Sequence, residues 1–120
     1  MTDDLATRIE AASAEKVGAL LEKAFLAAFP YPSGASSACL GVWREQKADF
    51  DLVMSVSAYA DAAMMLIPEG WVIAGVRQRD DGGNPFHVTL EGNNTNATAF
   101  APTLAQAIAA ASVRARASSR

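Results

Sequence analysis

The sequence has one cysteine and one histidine in 120 residues, and this scarcity excludes several kinds of chemistry. Cys39 has no second cysteine with which to form an internal disulfide, so we expect a reducing compartment. A structural zinc site takes about four Cys or His ligands. A catalytic base needs a nucleophile and an orienting group near it, and the single pair of Cys39 and His87 in 120 residues is a very weak signal for such a site. We therefore predict no catalytic residue, no metal and no cofactor, and we expect that the protein is not an enzyme.

Basic residues and long apolar runs are also scarce. Ten Lys and Arg against thirteen Asp and Glu give a net charge of -3, whereas nucleic-acid binding depends on clustered basic residues that release counterions. The apolar runs fall well short of the roughly 20 residues that a membrane-spanning helix needs, and the opening residues do not have the pattern of a secretion signal. We expect a cytoplasmic protein, with no direct binding to nucleic acid or membrane.

The composition that remains is typical of a folded domain, with 51% hydrophobic and 19% charged residues. We predict a single α/β/α sandwich domain over residues 1–120, in the α+β class. Its sheet is predicted to be antiparallel or mixed, with about three to four strands and about four helices. The predicted parts are N-terminal helices over 1–29, a strand region over 38–54, a helix over 57–67, a β-hairpin over 71–91 and a C-terminal helix over 103–117.

In the first half of the chain, apolar spacing and proline set the predicted elements. Val17, Leu21 and Phe25 fall on one stripe of a helix that Pro30 ends. Residues 38–45 alternate like a strand that is partly covered on both faces. Residues 49–54 alternate at first and then become uniformly apolar, so they form either a short strand or a packed connection.

Turn and capping residues organise the second half. Ser57 is a suitable N-cap for a helix, and Pro68-Glu69-Gly70 then turns the chain. The sequence Asp-Asp-Gly-Gly-Asn at 80–84 predicts the tip of a hairpin. Residues 92–101 are polar and predicted to form a loop, after which Thr103-x-x-Gln106 forms a capping box that opens the last helix.

Two sets of side chains are candidate binding residues. The first set consists of the acids predicted to be exposed, which would contact a basic partner: Asp49, Asp51, Asp80 and Asp81. The second set would form an aromatic ligand pocket if the first predicted strand lies beside the hairpin: Trp43, Tyr59 and Trp71.

The junction at residues 61–71 has the sequence Asp-Ala-Ala-Met-Met-Leu-Ile-Pro-Glu-Gly-Trp. This stretch resembles the phage ABA sandwich domain family, whose members show Asp-Ala-Ala after a Ser or Thr, a Leu-Val-Pro-Glu-Gly-Trp turn, a strand pair and an Ala-rich closing helix. Ile67 stands where valine is usual. The resemblance covers residues 57–117, with a looser match at 5–12. It implies an α/β/α sandwich of phage or prophage source, and it brings no catalytic residues with it.

From the resemblance and the absence of credible catalytic groups, we expect a non-enzymatic phage or prophage-encoded accessory protein. It would act by binding a host or phage protein, for example a host defence effector that is itself basic and binds nucleic acid. Two alternatives stay open. One is a small-molecule binder, for a nucleotide or metabolite, and the other is a structural virion component that assembles with itself.

Overall fold

A computed structural model describes residues 2–34, 36–55, 58–78 and 85–118 of the chain. These ranges contain five α-helices and three β-strands. The elements in chain order are α1 (Thr2–Ala11), α2 (Ala14–Ala28), α3 (Ser37–Ser55), α4 (Tyr59–Met64), β1 (Val72–Gln78), β2 (Phe86–Gly92), β3 (Thr95–Ala101) and α5 (Leu104–Ser118).

The three strands form one antiparallel sheet in the order β1-β2-β3. The predicted hairpin of β1 and β2 is confirmed, and its predicted tip at 80–84 lies outside the described residues. A β-bulge interrupts the β1–β2 register between Ile73 and Gly75. On the inner face of the sheet, Val88 of β2 pairs with Ala99 of β3, and both side chains are buried.

Helix α5 is the centre of the molecule. It contacts α1, α2, α4, β2 and β3, and ten of its fifteen residues are buried, most of them alanine. Small side chains let neighbouring backbones approach from several directions at once, which explains how one helix can pack against five elements. The α+β class and the layering of helices on an antiparallel sheet are therefore confirmed, with five helices where about four were predicted.

The largest difference from the predicted elements is α3. Residues 38–54 were predicted to be a strand region, but they lie within a single 19-residue helix. Ser36 begins this helix, because its hydroxyl accepts a hydrogen bond from the backbone N–H of Cys39 at 3.4 Å. The alternation over 38–45 was a short-range coincidence, since Trp43 and Phe50 lie seven residues apart on the helix face that packs inward.

The second difference is β3, because residues 92–101 were predicted to form a loop. Asn93 and Asn94 connect β2 to β3 with φ values of 53° and 62°, the left-handed geometry of a two-residue type I′ hairpin turn. Asparagine tolerates this conformation better than most residues. Alanine at positions 97, 99 and 101 then places small side chains against α5, and these three residues are buried.

The predicted junction between helix and sheet is confirmed in its main features. Helix α4 ends at Met64, and tighter i to i-3 hydrogen bonds continue the turn as far as Ile67. Gly70 has a φ of 86°, and the Trp71 N–H donates to the Pro68 carbonyl, so the proline and glycine form the expected β-turn. The predicted cap Ser57 lies outside the described residues.

Gln106 joins the closing helix to α1. The Thr103 hydroxyl accepts the Gln106 backbone N–H at 3.2 Å, as the predicted capping box requires. The buried Gln106 side chain, however, turns to α1 and donates from Nε2 to the carbonyls of Ile9 at 2.8 Å and Ala12 at 2.9 Å. These carbonyls lie at the C-terminal end of α1, where a helix lacks partners of its own. The amide of Gln106 therefore caps α1, while its backbone N–H is capped by Thr103 at the start of α5.

The outer edge of β3 is closed by an ion pair. Glu10 accepts the Phe100 backbone N–H at 3.0 Å, and Arg114 donates to the Thr98 carbonyl at 3.0 Å. The two side chains also form a bidentate pair, with N–O distances of 2.6 and 2.7 Å. Edge-strand backbone groups would otherwise be open to another strand, so the pair protects this side of the sheet.

The Glu10 pair gives a testable pH dependence. Burial raises the pKa of the Glu10 carboxyl, but the hydrogen bonds from Arg114 and Phe100 and the Arg114 charge outweigh it, so the pKa lies below its ordinary value of 4.5. A lowered pKa stabilises the fold above 4.5, and this contribution is lost as the pH falls through the folded-state value. We expect the free energy of unfolding in urea to fall more steeply between about pH 6 and about pH 3 for the unchanged chain than for the Glu10→Gln variant. Equal slopes would contradict this role.

None of the described helices is long and apolar enough to cross a membrane.

Candidate functional site

Helices α2 and α3 form an antiparallel hairpin that is held by aromatic rings. Phe25 and Phe50 are both fully buried, and their ring centroids lie 4.5 Å apart. Phe29 stacks against Phe25 at 5.0 Å and extends the cluster toward the end of α2. Aromatic pairs at this spacing contribute about 0.5–1.5 kcal/mol beyond the burial of their area. The rings therefore determine which face of α3 packs inward.

A tryptophan packs at the end of this hairpin where the chain passes from α2 to α3. The Trp43 indole donates from Nε1 to the Phe29 carbonyl at 2.6 Å, which satisfies an acceptor at the C-terminus of α2. Tyr31 packs edge-on against Trp43 with a centroid distance of 5.1 Å. Pro30 ends α2 as predicted, because it follows the C-cap Phe29.

A lysine links the two helices along their side. Lys47 donates to Asp51 at 2.5 Å and to Glu22 of α2 at 3.3 Å. Burial lowers the pKa of Lys47, but the hydrogen bonds to the two carboxylates outweigh it and raise the pKa above the ordinary value of 10.5. Exposed ion pairs of this kind contribute little, about 0–1 kcal/mol, so the rings supply most of the adhesion between the helices.

The opposite side of α3 is a solvent-facing strip that we call the outer face of α3. It consists of Ala38, Val42, Glu45, Asp49 and Leu52, all of which are exposed. The last four are spaced by three, four and three residues, so they lie along one side of the helix. Leu52 is 67% exposed and Val42 is 58% exposed, and of the other large apolar side chains that the structure describes, only Val72 of β1 reaches a comparable value, 63%.

The two predicted acidic residues that the structure describes do not share one surface. Asp49 lies on the outer face of α3, between Val42 and Leu52. Asp51 points to the side of the helix, where Lys47 neutralises it. Asp80 and Asp81 lie outside the described residues. Of the predicted acids, Asp49 is therefore the one that the structure places on an exposed face with apolar neighbours.

The three predicted pocket aromatics have separate surroundings. Trp43 contacts Phe29 and Tyr31 at the end of the helical hairpin, as described above. Tyr59 lies close to Gly18 of α2, where the missing side chain leaves room for its hydroxyl. Trp71 is buried and packs over Gly92 at the end of β2. The strand that was predicted to carry Trp43 beside the hairpin is helical, and this removes the geometric reason for grouping the three.

Cys39 and His87 lie on different parts of the fold. Cys39 is exposed in the first turn of α3, not on a strand as predicted. His87 lies on β2 and stacks on Phe100 of β3. Within the described ranges, no group of three or more His, Cys, Asp or Glu side chains is arranged to hold a metal ion.

The surface formed by the described residues includes two cavities that were not predicted. The larger, of about 630 Å³, lies between α1 and α2, and its lining includes Arg8, Ser13 and Lys16. The smaller, of about 360 Å³, lies on β1 and β2. Comparisons with models of known protein families, with curated proteins and with solved structures found nothing that matches this chain.

Proposed function

We propose that this chain is a non-enzymatic accessory protein of phage or prophage origin that binds another protein through the outer face of α3. The observation that carries the proposal is the small buried fraction of α3. Phe50 is the one buried residue among the 19 that the structure describes in α3, whereas ten of the fifteen residues of α5 are buried. A helix that serves only the fold buries an apolar stripe along its length. Helix α3 leaves most of its inward stripe only half-buried, and it also keeps Val42 and Leu52 in solvent on the other side.

The chemistry of the outer face suits a protein partner. Val42 and Leu52 are ten residues apart, which is roughly 15 Å along a helix, and Glu45 and Asp49 lie between them. Burial of apolar surface is the main favourable contribution to most protein–protein association. Charges beside them select the partner and speed its approach. This order of side chains would suit a groove with two apolar pockets and Lys or Arg between them.

The proposed partner is a basic protein, and the net charge of -3 favours such an encounter. A nucleic-acid-binding effector of host defence has the required surface, because it must itself attract phosphate groups. The phage origin is supported by the sequence of residues 61–71 and its resemblance to the phage ABA sandwich domain. The chain would act in the cytoplasm of the host cell, where such an effector works.

The test replaces the outer face without disturbing the helix. In the triple variant Val42→Gln, Asp49→Gln and Leu52→Gln, each new residue is a good helix former and points to solvent. We expect capture of basic host proteins from native host lysate to fall by about tenfold or more, while the circular dichroism and unfolding midpoint stay unchanged. Recovery of the same proteins in the same amounts would contradict the proposal.

The matched control removes exposed apolar and acidic groups from other elements. It combines Asp61→Gln and Met64→Gln on α4 with Val72→Thr on β1, where Met64 is 50% exposed and Val72 is 63% exposed. The total change in charge and exposed apolar area is similar to that of the triple variant. We expect this control to capture the same partners as the unchanged chain, so a loss in both variants would indicate nonspecific adhesion.

A further inference from the structure

The smaller cavity lies on the outer face of the sheet, which is the face turned away from α5. Its lining consists of Ala74, Gly75, Arg77, His87 and Thr89. The volume of about 360 Å³ falls within the range of small-molecule sites, roughly 300–1,000 Å³. All five residues come from two paired strands, so the lining is held by backbone hydrogen bonds and not by a loop.

One wall of the cavity is the His87 ring, which is stacked on Phe100 behind it. The His87 and Phe100 rings are parallel to within 2°, and their centroids lie 4.1 Å apart. These residues are register partners on β2 and β3, so Phe100 covers the face of the imidazole that is turned toward β3. The second face of His87 is therefore turned toward β1, where the cavity lies, and a planar group placed there would extend the stack.

The floor of the cavity is open because of a glycine. A Cβ atom at Gly75 would meet no other heavy atom within 4 Å. Thr89, its register partner on β2, brings a hydroxyl to the same level of the sheet. The bulge just before Gly75 adds Ala74 to the exposed side of the strand. Bulges of this kind often re-aim strands beside binding sites.

The polar groups of the cavity suit an anion. Arg77 is the register partner of His87 and is exposed, and an arginine fork binds a phosphate or carboxylate through two parallel hydrogen bonds. The Thr89 hydroxyl and one imidazole N–H are further donors. No acid is among the lining residues, and Glu91 lies one row further along the same face, opposite Val72.

We propose that this cavity binds a nucleoside monophosphate or a ligand of the same chemistry, a planar ring that carries a phosphate. The ring lies over Gly75 against the free face of His87, and the phosphate is bound by Arg77 with the Thr89 hydroxyl beside it. The site is on the sheet and shares no residue with the outer face of α3, so it is independent of the proposed protein-binding function.

The test uses the only histidine of the chain as a reporter. The His87 ring gives one set of imidazole signals in a proton–carbon correlation spectrum, and the probes are AMP, adenosine and inorganic phosphate. We expect AMP at about 1 mM to shift these signals, and we expect the shift to saturate as the AMP concentration rises. Adenosine alone and phosphate alone are each expected to bind at least about tenfold more weakly than AMP. No shift with AMP would overturn the proposal. If inorganic phosphate shifted the His87 signals as strongly as AMP, the base of the nucleotide would have no binding site in this cavity, and this too would overturn the proposal.

A matched pair of glycine variants separates the cavity from general effects. Gly75→Val fills the floor with a β-branched residue that favours a strand, and we expect AMP affinity to fall by about tenfold or more while the fold is retained. Gly41→Val, on α3, also places a side chain in open space, and it is expected to bind AMP like the unchanged chain. If Gly75→Val bound AMP with unchanged affinity, the ligand would lie elsewhere.

Discussion

Replacing Phe50 by alanine is expected to lower the free energy of unfolding by about 3–5 kcal/mol. Phe50 is fully buried, and its ring packs on Phe25 at a centroid distance of 4.5 Å. It is also the one residue of α3 that is fully buried in the described chain. Its removal leaves a cavity at the centre of the hairpin of α2 and α3, and the polar contacts of Lys47 are too exposed to compensate. Urea unfolding followed by circular dichroism measures the loss.

The control for this prediction lies two residues away. Leu52 is 67% exposed on the same helix, so Leu52→Ala should change the free energy of unfolding by no more than about 0.5 kcal/mol. The comparison separates the face that anchors α3 from the face that is proposed to bind a partner. Equal losses from the two substitutions would mean that α3 packs with a different orientation.

Replacing Gly92 by alanine is expected to cost about 2–3 kcal/mol, because there is no room for a methyl group. A Cβ at this position would lie 2.6 to 2.9 Å from the Cδ2, Cγ and Cε2 atoms of Trp71. These atoms belong to a rigid indole that is only 6% exposed, so the ring cannot turn aside as a flexible chain would. Thermal unfolding measures the cost, and tryptophan fluorescence reports the displacement of the ring.

Two comparisons isolate the clash from other effects of a strand glycine. Gly75→Ala changes the same residue type in the same sheet but meets open space, so it should be neutral or stabilise by up to about 1 kcal/mol. In a Trp71→Leu background, Gly92→Ala should cost less than half of its original effect, because the ring is absent. An unchanged cost in that background would show that the indole is not the cause.

The sequence was most informative where turn residues and apolar spacing agree. Pro68 and Gly70 predicted the turn before β1, and the structure has the positive φ that Gly70 allows. Pro30 predicted the end of α2. Thr103 and Gln106 predicted the start of α5, although the amide of Gln106 also reaches the end of α1. Local signals do not show such a tertiary contact, because it joins residues 97 positions apart.

Two elements were predicted wrongly because a short pattern outweighed a longer one. The alternation over 38–45 predicted a strand, whereas the stripe from Trp43 to Phe50 and the i, i+4 pair of Lys47 and Asp51 are helical signals. In β3 the alanines at 97, 99 and 101 do alternate, but alanine is a poor strand former and the polar residues between them suggested a loop. The buried face of α5 requires such small partners.

The candidate site was predictable only in part. Asp49 was recognised as an exposed acid, but its apolar neighbours Val42 and Leu52 were not included, because a strand would have placed them differently. Asp51 could not be separated from Asp49 without the helical geometry that pairs it with Lys47. The smaller cavity, over Gly75, could not be predicted from the sequence, because it depends on the register of three strands and on the stacking of His87 on Phe100.

Photo-crosslinking in the native host tests directly whether the outer face of α3 is the protein-binding surface. A photoreactive phenylalanine analogue would replace Glu45 on the outer face, and in a separate chain it would replace Asn96, an exposed residue of β3. We predict a discrete adduct with a basic host protein from position 45 and none from position 96. An adduct from position 96 alone, the same adduct from both positions, or no adduct from position 45 would contradict it.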